Sequence, residues 1–243
     1  MLNKEEYQIR WDKKKVLRKI YKNLGDKMLA ESIPGLGLEV GSGISNFKAN
    51  FDENIIRMDI QKAKGLDVVA DAHFLPFRDK LFSKIFLFDV LHHLDCPLVF
   101  FSEANRVLSD RGRIIMVEPG ITPISKIFYK MFHQEPVEMN WEPKKNCIPD
   151  SNKDPYDSNQ AIPTLLFYKY NKMFDELNIS FKIVKKNWIS LFAYPLSGGF
   201  RSWSLIPSFL LKPVLKFEDF LIPIFGPLMA FRLIVVLEKN EKV

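Results

Sequence analysis

Leu17, Ile20, Tyr21, Leu24 and Met28 recur at helical spacing, so residues 5–30 are expected to form an amphipathic helix. Short apolar runs follow at regular intervals. Gly35 to Val40, Asn54 to Ile60, Leu66 to Ala70, Lys84 to Phe88 and Arg113 to Val117 each have strand length and end in turn residues. The run KIFLF at 84–88 is apolar throughout, as a strand covered on both faces should be. Asp95 and Pro97 open a helix with Phe100, Ala104, Val107 and Leu108 on its inner face. Asp110-Arg111-Gly112 then reads as a turn. Strands and helices alternating at this pace predict a doubly wound α/β sheet.

The texture changes after Glu118-Pro119-Gly120. Residues 134–163 hold five prolines and four asparagines, which reads as a long loop or lid. Leu166, Tyr170, Met173, Phe174 and Leu177 mark another helix. Residues 179–192 and 231–238 are expected to be two closing strands, paired antiparallel, which brings the sheet to seven strands. Between them, 194–230 is rich in Leu, Phe, Pro and Ile. With no repeat and no clean boundary, the chain reads as one domain. Its parts are an N-terminal helix (1–31), a core (32–118), a lid or loop (119–163), and a C-terminal part (164–243) that carries the apolar insert.

Composition narrows the class. At 47% hydrophobic and 26% charged, 243 residues can bury a sizeable core, which excludes a disordered tail, a collagen-like fibre and a coiled coil. Cys96 and Cys147 are too few for a disulfide scaffold and form no CxxC pair, so a reducing, cytoplasmic setting is expected. The first fifteen residues lack the apolar stretch of a signal peptide, and the uncharged run from Phe220 to Phe231 is too short to span a bilayer. Net charge is +6, but residues 1–31 carry +4 and residues 181–243 carry +5, leaving −3 for the middle. An acidic middle argues against a nucleic-acid groove and suits a cationic cofactor there.

The chemistry-bearing residues fall at strand ends. Glu39-Val-Gly41-Ser-Gly43-Ile-Ser45 sits at the turn after the first strand, where glycines let backbone amides approach a ligand. It does not match GxGxxG, since the sixth position from Gly41 is Asn46. Asp59 closes the second strand, where a carboxylate can accept both hydroxyls of a ribose. Asp71-Ala72 follows the third strand, and Asp89-Val-Leu-His92-His93-Leu94 the fourth. This ordered series resembles the motifs of class I S-adenosylmethionine-dependent methyltransferases, in the group that acts on small molecules and lipid precursors. The resemblance covers about residues 36–118, with Ser45 where a third Gly is common. It implies a Rossmann-like fold whose last strand is antiparallel. It further implies S-adenosyl-L-methionine as cofactor, held by Glu39, Gly41, Gly43, Asp59, Asp71, Ala72 and Asp89.

Methyl transfer to an oxygen or nitrogen carrying a proton can call for a base. His92 and His93 are the candidates by position, followed by His133 and Glu135 at the lid entrance, and Glu118 could face the acceptor. A metal centre built from His92, His93, Asp95 and Cys96 is not expected, because adjacent residues on a turn rarely converge on one ion. The acceptor is expected to be small or lipid- or glycan-linked and to carry a hydroxyl. Segment 194–230, with Arg201, Lys212 and Lys216, is either a membrane-surface platform or a cover for the last strands. Two other classes stand beside this reading, a non-catalytic binding protein of the same fold and a nicotinamide-dependent oxidoreductase. Tyr168 and Lys172 have the spacing of the latter but lack a partnering Ser.

Overall fold

The computed structural model describes residues 4–43, 54–132, 135–176 and 180–241. Helices α1 (Lys4–Lys13) and α2 (Lys15–Leu29) precede strands β1 (Gly37–Val40), β2 (Ile55–Asp59), β3 (Val68–Val69) and β4 (Phe82–Phe88). A 3-10 turn at Leu91–His93 leads into α3 (Pro97–Val107), β5 (Leu108–Pro119) and α4 (Pro123–Phe132). Next come α5 (Ile162–Thr164), a π-helical turn at Leu165–Lys169, α6 (Met173–Glu176), β6 (Phe181–Ile189), α7 (Ala193–Ser197), α8 (Leu211–Met229) and β7 (Arg232–Lys239). The strands form one sheet in the order β3-β2-β1-β4-β5-β7-β6. β1 to β5 pair in parallel, while β7 inserts between β5 and β6 and runs antiparallel to both.

Both faces of the central strands are buried, and the side chains alternate between two cores. Ile85 and Leu87 of β4, Ile114 and Met116 of β5, and Leu233 and Val235 of β7 pack on the α3 side. Phe86, Ile115, Val117, Ile234 and Val236 point the other way, against Leu17, Ile20, Tyr21, Leu24 and Met28 of α2. That opposition explains why these strands read as unbroken apolar runs.

Four expectations need correction. The N-terminal helix is two, broken at Lys14, whose φ of −104° and ψ of 80° are non-helical. The turn expected at 110–112 lies inside β5, which starts at Leu108 and takes its irregularity at Arg111, with φ of 60°. The segment 119–163 is not loop throughout, because α4 forms within it, with Ser125 and Tyr129 buried on one side. Lastly, Cys96 and Cys147 are joined in a disulfide, their Cα atoms 5.6 Å apart. Spacing alone hides the pair because 51 residues separate them. The segment after α4 returns across the carboxyl edge of the sheet and brings Cys147 to the start of α3. The Asp150 amide donates to Asp95 Oδ2 (2.9 Å), Lys153 Nζ to the His93 carbonyl (2.9 Å) and the Asn159 amide to the His92 carbonyl (2.9 Å).

No helix among the described residues is long and apolar enough to cross a membrane.

Closing a loop of this length restricts the unfolded chain by about 4 kcal/mol in the chain-entropy account. Reduction should therefore lower Tm by roughly 8–16 °C in a thermal melt, while Cys96→Ser/Cys147→Ser should melt at the lower temperature whether or not reductant is present.

Candidate active site

β1 ends at Val40, and the chain must turn at once to clear β4. Gly41 does so with φ of 69°, and a Cβ there would lie 2.3 Å from Val90 Cγ2. Only glycine fits on both counts. Gly43, with φ of 53°, donates its amide to Asp59 Oδ2 at 2.8 Å, and Asp59 Oδ1 accepts the Gln61 amide at 2.8 Å. The β2-end carboxylate thus braces the β1 turn. A carboxylate has about four lone-pair positions, so Asp59 keeps acceptor capacity beyond these two bonds.

These residues border a cavity of about 330 Å³ at the carboxyl ends of the parallel strands. It opens where the strand order reverses between β1 and β4, the usual ligand crevice of open α/β sheets. Gly41, Gly43, Asp59, Asp71, Ala72 and Asp89 all line it, as does His93. Asp71 Oδ1 accepts from the His73 amide (2.8 Å) and meets His73 Nδ1 (2.7 Å), while His73 Nε2 lies 3.2 Å from Asp95. The far wall comes from the disulfide-tied segment through Asp150, Lys153 and Tyr156. Five aspartates against one lysine line the space, so it favours a ligand with positive charge.

Three expected residues lie behind the cavity. Glu39 is buried in β1, 3.8 Å from Arg57, and burial pushes its carboxyl up to about 7 against the pull of Ser42 and Arg57. Glu118, at the end of β5, accepts the Val90 amide (2.9 Å) and Leu91 amide (2.8 Å) on Oε1. Its Oε2 meets His92 Nδ1 at 2.8 Å, and His92 Nε2 lies 3.5 Å from Glu135. Burial alone would depress His92, but the bonds and charges of Glu118 and Glu135 more than offset it and raise the imidazole to about 9. His93 differs. Burial and the neighbouring His92 charge lower it to about 3, and its Nδ1, buried and without a hydrogen-bond partner, belongs to a residue of the cavity wall. His92, His93 and Glu135 bring donor atoms within 4.8 Å of one another, but a protonated His92 between two carboxylates makes this an ion-pair cluster. Ser45 and His133 lie outside the described residues.

Asp89 holds φ of 55° after β4, a conformation uncommon among non-glycine residues that Asp tolerates better than most. Its carboxylate pairs with the buried guanidinium of Arg232 and lies 3.5 Å from the Tyr21 hydroxyl. The guanidinium carbon stands 4.6 Å from the Tyr194 ring centroid and 5.4 Å from that of Phe88. Sequence reasoning missed Arg232, Tyr21 and the wall residues of 150–156. They come from distant parts of the chain, and only the charge of Arg232 at the start of an apolar strand hints at a role.

Residues 38–116 match the model of a methyltransferase domain family. An uncharacterized protein of Methanocaldococcus jannaschii is 30% identical over 139 residues, covering 54% of this chain and 64% of that protein. A demethylmenaquinone methyltransferase of Staphylococcus haemolyticus is 28% identical over 132 residues, covering 49% and 55%. The matches thus span less than two thirds of either curated relative. Among solved structures, a SAM-dependent methyltransferase of Archaeoglobus fulgidus covers 91% of this chain and 94% of its own (TM-score 0.57, 13% identity). A putative methyltransferase of Haloferax volcanii, solved with the Trm112 activator, covers 99% and 98% (TM-score 0.54, 11% identity). At such identities the structural likeness establishes the fold. Residues 38–116 are thus similar to a methyltransferase domain, within a chain that has the fold of class I S-adenosylmethionine-dependent methyltransferases.

The pH dependence of stability should carry the signature of His92. Its folded-state pKa lies above the ordinary 6.5, so its contribution is fully present below pH 6.5 and fades as pH rises through about 9. Urea denaturation across that range should show the fall, and His92→Gln should flatten it.

Proposed function

We propose that the chain is an S-adenosylmethionine-dependent methyltransferase that transfers the methyl group to a hydroxyl of a small or lipid- or glycan-linked acceptor. The observation that carries the reading is the convergence of Gly41, Gly43, Asp59, Asp71 and Asp89 from four strand ends onto one acidic cavity. The residues fit the cofactor. Asp59 would take the ribose hydroxyls with its remaining acceptor capacity, Gly41 and Gly43 let a ligand approach the backbone of the turn closely, and Ala72 beside Asp71 leaves room for a flat ring. When bound, the cofactor supplies an electrophilic methyl group on a positively charged sulfur, a charge that the five aspartates favour.

The chain's own part is alignment and proton handling. A hydroxyl oxygen becomes strongly acidic as it gains a methyl group, so a weak base within hydrogen-bond reach is enough. His93 meets that need. It is neutral, it borders the cavity, and its Nδ1 makes no hydrogen bond within the protein, so a turn of the ring toward the cavity would let that nitrogen accept from the acceptor hydroxyl. His92 acts through its neighbours, because its own nitrogens are taken up by Glu118 and Glu135. It is a positioning residue that holds the turn from which His93 projects. The lipid- or glycan-linked option finds support in α4, α7 and α8, whose ends meet the sheet at the edge that bears the cavity. At this edge Arg232 pairs with both Pro119 and Ile189.

Calorimetric titration tests the assignment. S-adenosylhomocysteine should bind, and Asp59→Ala should weaken that binding at least about tenfold, the loss of one or two charge-assisted hydrogen bonds. Binding of NADH alone would overturn it. His93→Gln should leave S-adenosylhomocysteine affinity nearly unchanged. It should lower kcat about 10²-fold or more toward an acceptor found by screening hydroxyl compounds with methyl-labelled cofactor. An unchanged kcat would remove His93 from the chemistry.

A further inference from the structure

Helix α8 is apolar on two opposite sides. Leu211, Leu215, Glu218, Ile222 and Gly226 follow one another every three or four residues and face the protein, where Gly226 lies against Trp188. Phe217, Phe220, Ile224 and Leu228 follow the same rule on the outer side. Phe220 is 73% exposed and Ile224 71%. A helix that must only cover a core needs one apolar stripe, so the outer stripe calls for a separate cause. It also continues beyond the helix. Phe209 is 77% exposed in the preceding loop, with Trp203 and Leu205 exposed nearby. Helix α4 packs beside α8 and repeats the pattern, with Ser125 and Tyr129 inward and Ile124, Ile127 and Met131 outward. Arg201 ties the loop before α8 to α4 by donating to the Phe132 carbonyl.

The charges among these side chains have one sign. Residues 120–132 and 193–231 contain Lys126, Lys130, Arg201, Lys212 and Lys216 against Glu218 and Asp219. Neither carboxylate offsets the lysines. Glu218 is buried, where it accepts the amides of Leu191 and Ala193, and Asp219 pairs with Lys27 of α2. The four lysines are exposed and make no ion pair among the described residues. Long apolar stems ending in unpaired ammonium groups, set among exposed aromatic and branched side chains, suit a boundary between acyl chains and phosphate headgroups. A protein partner would more often bring a carboxylate or a pocket for one or two anchors. This surface is instead broad, spread over three elements and rimmed by lysine.

We infer that α4, the loop 201–210 and the outer side of α8 form a docking face for the surface of a bilayer that carries anionic headgroups. The aromatic and aliphatic side chains enter the interfacial layer while Lys126, Lys130, Lys212 and Lys216 pair with headgroup phosphates. The face adjoins the cavity through the chain itself, because α8 leads by way of Ala230 and Phe231 to Arg232, the partner of Asp89. Docking there would hold the edge of the sheet that bears the cavity close to the headgroup layer.

Co-sedimentation of the full chain with vesicles tests the inference without reference to methyl transfer. The protein should pellet with vesicles of phosphatidylcholine and phosphatidylglycerol in equal parts, and far less with phosphatidylcholine alone. Phe220→Ser/Ile224→Ser should lower the partition coefficient at least about tenfold, as the loss of two apolar anchors implies. Lys212→Glu/Lys216→Glu should lose on the order of fivefold per lysine on the anionic vesicles only, and added salt should mimic it. Unchanged circular dichroism and S-adenosylhomocysteine affinity would show that the variants fold. Should Phe220→Ser/Ile224→Ser fail that control, quenching of Trp203 fluorescence by brominated-acyl lipid in the wild type, lost in Trp203→Phe, gives the same reading. Failure of the wild type to pellet with anionic vesicles would overturn the proposal. So would a dimer in sedimentation velocity that Phe220→Ser abolishes while no vesicles bind, because the face would then join two copies of the chain.

Discussion

A guanidinium buried away from water must find a carboxylate, and in this chain that requirement joins the two ends of the molecule. Arg232, the first residue of β7, reaches Asp89 at the end of β4 and lies against the rings of Tyr194 and Phe88. Breaking such a pair by removing one partner leaves a stranded charge and typically costs about 3–5 kcal/mol. The contact therefore fixes several things together. It holds Asp89 in its left-handed backbone conformation on the cavity wall. It brings Tyr21 of α2 and Tyr194 of α7 to the same place, and it sets where the return from α8 enters the sheet.

A second polar cluster governs the same turn from below. Glu118 receives the Val90 and Leu91 amides and the His92 ring, which pairs two backbone donors of the turn after β4. The two adjacent histidines then part ways. One is charged between carboxylates, and the other is neutral because burial and that charge both oppose its protonation. Two identical side chains one residue apart thus take different protonation states, set by which side of the turn each faces. Sequence position could not separate their roles; the direction of the ring does.

What was readable in the sequence follows the same division between local and distant causes. Strands β4, β5 and β7 were legible because both of their faces are covered, so their apolar runs are unbroken. The aspartates at 59, 71 and 89 were legible because each ends a strand, and parallel strands deliver their ends to one edge. The helix inside the supposed lid was hidden by its short length, with only two buried side chains to mark it. Arg232 and Tyr21 could not be assigned, since the first lies 143 residues and the second 68 residues from Asp89. Glu39 and Glu118 were rightly placed at strand ends, yet their carboxylates turn inward. A strand end fixes the backbone and leaves the side chain two faces to choose from.

The bond between Cys96 and Cys147 has a consequence for the chain as a thread. It closes a covalent ring that contains α3, β5 and α4, while β1 to β4 lie before the ring and β6 and β7 after it. Strand β5, between β4 and β7 in the sheet, therefore belongs to a closed circuit, and its neighbours on both sides belong to the two open arms. A protease that cuts once between residues 97 and 146 would divide the sequence without dividing the molecule. Both arms would remain on one covalent frame, each still paired with the strand that the ring encloses.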